Sequence, residues 1–158
     1  MQWISTTGGP LLLIPEKSLS DWRGASGDGL DYDLACSATE FAEVVQWHGR
    51  SLLVLGDEPL LTMVIQGSTT TIFLRWMYAP DEEAIMRCLN RREWGPPIEQ
   101  LTWKINESTH ALIDSALDGH SVQNPMHVTL PIGENQVMTY LVKPSHDVGA
   151  VLHVIDQL

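Results

Sequence analysis

The stretch Val137-Met138-Thr139-Tyr140-Leu141-Val142 is written for an extended chain with two distinct faces. Met138, Tyr140 and Val142 fall on one side and Val137, Thr139 and Leu141 on the other, because successive side chains leave a strand in opposite directions. Four similar runs surround it, at residues 101–105, 110–115, 127–132 and 150–155. Gly119, Asn124-Pro125, Gly133 and Pro144 separate them. Five short strands with turns about every dozen residues predict an antiparallel sheet. No strand–glycine–helix unit occurs, which disfavours a doubly wound parallel fold.

Upstream, residues 61–65 and 69–78 read as another strand pair around Gly67-Ser68, the second rich in β-branched and aromatic residues. Residues 43–47 and 51–55 flank His48-Gly49-Arg50, a hairpin signal, and Gly56-Asp57-Glu58-Pro59 closes the second strand. Leu11 to Ile14 is fully apolar between Pro10 and Pro15, and Trp3-Ile4-Ser5 precedes it across a Gly8-Gly9-Pro10 turn. A short helix is expected at 15–22, and a short helix or irregular stretch around 31–42, after the loop at residues 24–31. The clearest helix is 80–92. Asp81, Glu82 and Glu83 occupy its first turn, Arg87, Arg91 and Arg92 its end, and Ala84, Ile85, Cys88 and Leu89 form one apolar stripe. The expected class is therefore α+β, a predominantly antiparallel sheet with one clear helix at about 80–92 and one or two short N-terminal helices. All of it is expected in a single domain over residues 1–158. One large sheet with flanking helices and two smaller packed sheets both satisfy the pattern.

Charge narrows the partners. The 158 residues hold 20 Asp and Glu against 9 Lys and Arg, a net charge of -11. Binding phosphates or an anionic membrane needs the opposite balance, so neither nucleic acid nor a membrane surface is an expected partner. The excess is spread over both halves: 9 acids against 4 bases in residues 1–79, and 11 against 5 in 80–158. Cys36 and Cys88 form no CxxC pair and read as buried free thiols. No leader-like or membrane-spanning run of apolar residues is present, so a reduced, cytoplasmic location is expected.

No catalytic or metal-binding pattern emerges, and no cofactor is expected. The six histidines include no pair four residues apart, and P-loop, GxGxxG and GxSxG motifs are absent. Asp31-x-Asp33 offers too few oxygens for Ca²⁺. Six tryptophans accompany only two phenylalanines. Trp47, at the mouth of a hairpin, and Trp94, just past a helix end, are the two expected to be exposed; tryptophan is enriched at interface hot spots.

Several segments, read together, resemble a known family. These are Trp3-Ile4, Gly8-Gly9-Pro10-Leu11, Trp22-Arg23-Gly24, Asp31-Tyr32-Asp33-Leu34-Ala35-Cys36, Val54-Leu55-Gly56-Asp57-Glu58-Pro59 and Phe73-Leu74-Arg75-Trp76. In order and spacing they are similar to immunity protein family 21 from about Trp3 to about Leu89. Ala111-Leu112-Ile113-Asp114-Ser115-Ala116 resembles its C-terminal strand segment, and the match is looser from Gly119 onward. The resemblance implies a bacterial polymorphic toxin system and a protein that binds a cognate toxin domain to protect the producing cell. The family has no catalytic residues to carry over, so no enzyme is implied.

Physical reasoning independently favours a basic partner. Opposite charge accelerates association, and nuclease toxins are basic because their substrates are polyanions. Asp28, Asp31, Asp57 and Glu58 are the expected steering residues, with Trp47 and Trp94 as anchors. Two other classes remain open: an acidic adaptor module unconnected to a toxin, and a hydrolase using carboxylates such as Asp31 and Asp57 brought together by folding. Oligomeric state is not encoded in any pattern seen here.

Overall fold

The computed structural model describes residues 2–56 and 58–158. Its strands are β1 (Trp3–Ile4), β2 (Leu11–Pro15), β3 (Ala42–Trp47), β4 (Arg50–Leu55), β5 (Leu61–Gln66), β6 (Thr70–Tyr78), β7 (Glu99–Ile105), β8 (Thr109–Asp114), β9 (Met126–Thr129), β10 (Gly133–Ser145) and β11 (Val148–Gln157). They make two antiparallel sheets. One has the order β1-β5-β6-β11-β10-β7 and the other β3-β4-β2-β8-β9. Of the two sheet arrangements open to the sequence, the two packed sheets are the one formed.

Three apolar layers follow from this arrangement. The inner faces meet in a core containing Leu11, Leu13, Leu53, Leu55 and Leu112 from one sheet, and Phe73, Trp103, Val137 and Ile155 from the other. The outer face of the six-stranded sheet, with Leu74, Val142, Leu152 and Val154, is covered by Ala84, Ile85, Cys88 and Trp94. The outer face of the five-stranded sheet, with Leu12, Ile14, Leu52, Val54 and Ile113, is covered by Trp22, Ala35 and their neighbours. The two faces of residues 137–142 divide as the alternation requires: Val137 enters the inner core, and Tyr140 and Val142 the outer layer.

The α+β class is overturned. Strands account for 47% of the chain and helices for only 17%, so the protein is mostly antiparallel β. The helix expected over 80–92 is broken into α2 (Glu82–Met86) and 3₁₀ turns at Arg87–Leu89 and Arg91–Glu93. Asp81 caps its start, accepting from the Ala84 N–H at 2.8 Å. Asn90 interrupts it in an extended conformation while its side chain accepts from the Arg92 N–H. The apolar stripe therefore needs only short pieces to cover one sheet face. The N-terminal helices are a 3₁₀ segment, Glu16–Asp21, and α1 (Leu30–Cys36). The five C-terminal strands do not share a sheet: β7, β10 and β11 join one, β8 and β9 the other. Alternation reports which faces are apolar but not which neighbour a strand will pair with.

The β3–β4 hairpin forms as expected, with Trp47 opposite Arg50. His48 and Gly49, at φ 47° and 74°, supply the two left-handed residues of a tight hairpin turn. The inner core is not wholly apolar. Arg75 is fully buried and donates to the Gly56 and Glu58 carbonyls, both at 2.7 Å, and to Thr62 Oγ1. Beside this group, His153 Nδ1 and Thr139 Oγ1 are hydrogen-bonded at 2.9 Å.

A Cβ at Gly119 would lie 1.8 Å from the Leu19 carbonyl oxygen, where the Gly119 N–H also bonds the Trp22 carbonyl. Gly119→Ala should therefore cost about 2–3 kcal/mol or more in urea denaturation, through overpacking against backbone. Stability also depends on pH through two buried histidines. Burial lowers the pKa of His110 and takes that of His153 well below its ordinary 6.5, with the Arg75 charge adding to the effect at His153. Below that value the unfolded chain takes up protons that the folded chain refuses, so stability should fall as pH drops from 6.5. The slope from His153 should approach about 1.4 kcal/mol per pH unit, His110 should add to it in the same direction, and NMR should find the His153 ring neutral at about pH 6. A protonated His153 ring at that pH would contradict the account.

Candidate functional site

The fold brings Asp31 and Trp47 together, while Trp47 and Trp94 lie in separate apolar layers. Asp28 is exposed, and its carboxylate accepts from the Leu30 N–H at 3.0 Å at the start of α1. Asp31 is half-buried and committed to the fold: its two oxygens accept from the Arg23 N–H at 2.8 Å and from the Trp47 indole N–H at 2.9 Å. Glu58 is exposed, while its carbonyl is held by Arg75. Asp57 lies outside the described residues.

The exposure expected of Trp47 and Trp94 is corrected. They are only 4% and 6% exposed. Trp47 packs edge-on to Trp22, with ring centroids 5.5 Å apart. Trp94 donates its indole N–H to the Cys88 carbonyl at 2.8 Å and stacks beside Tyr140. A hairpin mouth and a helix end are surface positions only until another element covers them. Here residues 16–38 cover the first, and the irregular helical segment folds the second back onto its own sheet. The cysteines also differ from expectation: Cys88 is buried but Cys36 is exposed. Burial pushes the Cys88 thiol up to about 11, which removes it as a nucleophile at neutral pH.

A different feature emerges where the sheets meet. β3 and β7 are edge strands of opposite sheets, each paired on one side only, and they run close to one another. Two clasps join this seam. At one end the Glu99 carboxylate accepts from the Phe41 N–H at 3.1 Å and the Ala42 N–H at 3.3 Å. At the other, Ser51 Oγ donates to the Lys104 carbonyl at 3.2 Å and receives the Trp103 indole N–H at 3.1 Å. Between them lies an open groove of about 400 Å³, floored by Ala42, Val44 and Leu101 and walled by Glu40, Glu43 and Glu99.

Strand geometry sets which backbone groups face this groove. Gly56 N–H bonds the Phe41 carbonyl, so the odd residues of β3 point to β4 and Ala42, Val44 and Gln46 point outward. The Lys104 carbonyl is bonded from the groove side, so Gln100 and Thr102 on β7 point outward as well. Among the described residues, no strand pairs with the groove-side edge of either.

The three carboxylates are crowded. Glu43 accepts from the Thr39 N–H at 2.9 Å, and Glu99 is held by its clasp. Glu40 is exposed, and a hydrogen bond to Glu99, together with the charge of that carboxylate, raises its pKa above the usual carboxylate value. A cation entering the groove would relieve this repulsion. Among the described residues no group of three His, Cys, Asp or Glu is arranged to hold a metal ion. Sequence reasoning missed the seam because Glu99 stands far along the chain from Glu40 and Glu43. The pair Glu40-x-x-Glu43 is the one local hint, and such pairs are common on solvated surfaces.

A family model for immunity protein 21 matches residues 2–148. No curated protein and no solved structure matches the chain. The family match spans nearly the whole sequence, and the chain belongs to the immunity protein 21 family, which implies a cognate toxin as its partner. No helix among the described residues is long and apolar enough to cross a membrane.

Proposed function

We propose that this member of the immunity protein 21 family neutralises a basic toxin domain by binding it, without catalysis, after electrostatically steered association. A nuclease is the toxin class that fits best, since a surface built for phosphates is also one that an acidic protein can cover. The observation that carries the proposal is family membership combined with a net charge of -11. That charge would speed encounter in the interval before the toxin acts.

Within this reading, the exposed Asp28 and Glu58 contribute most directly to steering, and Asp57 adds a charge next to Glu58 in the sequence. Asp31 contributes charge too, but its bonds to Arg23 and Trp47 make it a poor site for a clean test. Trp47 and Trp94 pack within the two outer apolar layers and offer a partner little surface.

The decisive test is coexpression with the toxin domain encoded beside this protein. Growth rescue and copurification are expected; failure of both would sink the proposal. In stopped-flow measurements, the double reversal Asp28→Lys/Glu58→Lys should slow association by about tenfold at low salt and flatten its salt dependence. Dissociation should change much less, because steering acts on encounter.

A further inference from the structure

We infer that the seam between β3 and β7 receives an extended, Lys- or Arg-bearing segment of the cognate toxin, which adds a strand to the open edge of β7. The inference rests on the toxin-binding reading above and assigns it a surface. Three independent features converge on the groove.

The first is backbone valence. Gln100 and Thr102 direct their N–H and C=O groups into the groove, and edge groups of this kind are templates for another strand. Such edges are usually shortened, covered or blocked by a basic residue. β1, at the far edge of the same sheet, spans only Trp3–Ile4, whereas β7 runs seven residues. The two residues whose backbone faces the groove, Gln100 and Thr102, carry no charge.

The second is the floor. Val44 and Leu101 are partly buried members of the inter-sheet core. They remain half-exposed because the clasps close the seam only at its two ends. An incoming strand would place alternate side chains on this floor and cover it.

The third is charge. Glu40, Glu43 and Glu99 stand together at one end of the groove, where a hydrogen bond to Glu99 and then repulsion from Glu99 and Glu43 raise the pKa of Glu40. Lys104 stands at the other end. A basic side chain at the acidic end relieves that repulsion and sets the register and direction of the strand.

The test uses the purified full chain and its toxin domain. On complex formation, hydrogen exchange should slow at the amides of Gln100 and Thr102. Thr102→Pro removes a groove-facing N–H without touching the β7–β10 ladder, because proline is tolerated at such edge positions. It should raise the dissociation constant about tenfold or more. Glu40→Lys/Glu43→Lys should weaken binding by a similar factor, with Glu40→Gln intermediate. If Thr102→Pro proves unstable, the carboxylate variants and the exchange pattern still decide the matter.

Wild-type affinity in both Thr102→Pro and Glu40→Lys/Glu43→Lys would overturn the inference, as would protection confined to another surface. Sedimentation showing a wild-type dimer that Thr102→Pro dissociates would assign the edge to a second copy of this chain, which also overturns it. In each of these cases rescue and copurification by the wild-type protein would still hold. Their loss in the wild type would instead mark failure of the toxin-binding reading itself.

Discussion

The structure depends on one strand that has water on neither face. β11 lies in the middle of the six-stranded sheet, between β6 and β10, and is buried from Val148 to Ile155. A strand of this kind cannot exist in a single sheet with one wet face. Its Ile155 side requires a second sheet, and its Leu152 and Val154 side requires a cover. The five-stranded sheet meets the first need, and the broken helical segment after Pro80 meets the second. The five-stranded sheet in turn has an apolar outer face, which residues 16–38 cover. The order of layers thus follows from the need to remove apolar surface from water on both sides of each sheet.

Within this frame, several residues that carry the family resemblance have structural tasks. Arg75 reaches from β6 to the carbonyls of Gly56 and Glu58, so it holds the loop that follows β4. A Cβ on Gly9 would lie 2.5 Å from the Tyr32 hydroxyl, so the turn before β2 fits closely under α1. Trp3 packs edge-on to Trp76, with centroids 5.4 Å apart, and fastens the short edge strand. A buried guanidinium is tolerated because its donors meet fixed carbonyls; an unmet one would cost several kcal/mol. These residues tie the scaffold together. The seam draws on others: Glu40, Glu43, Glu99, Gln100 and Thr102.

The net charge acquires a more specific meaning in the same way. Spread over both halves of the chain, it marks no face. Asp31 has its carboxylate oxygens taken by the Arg23 N–H and the Trp47 indole, so one of the acids counted as steering is also a structural tie. Glu99 is another, joining two sheets while lending its charge to the groove. The acids therefore divide into those that tie the fold together and those whose carboxylates stay exposed, and composition does not distinguish them.

Much of the secondary structure was legible in the sequence. Periodicity located the strands, and the His48-Gly49 turn located a hairpin. The helical content was overestimated, because the 80–92 stripe is satisfied by short pieces interrupted at Asn90. Local patterns are set by neighbours a few residues away, which is why they can be read directly. The sequence by itself determined that the chain would be antiparallel, apolar on alternating faces and strongly acidic. Tertiary structure alone decided which sheet each strand joined, that Trp47 and Trp94 would be covered, and that Glu99 would stand beside Glu40. Each of these is a contact between segments remote in the chain, fixed by the shared burial of faces rather than by any local preference.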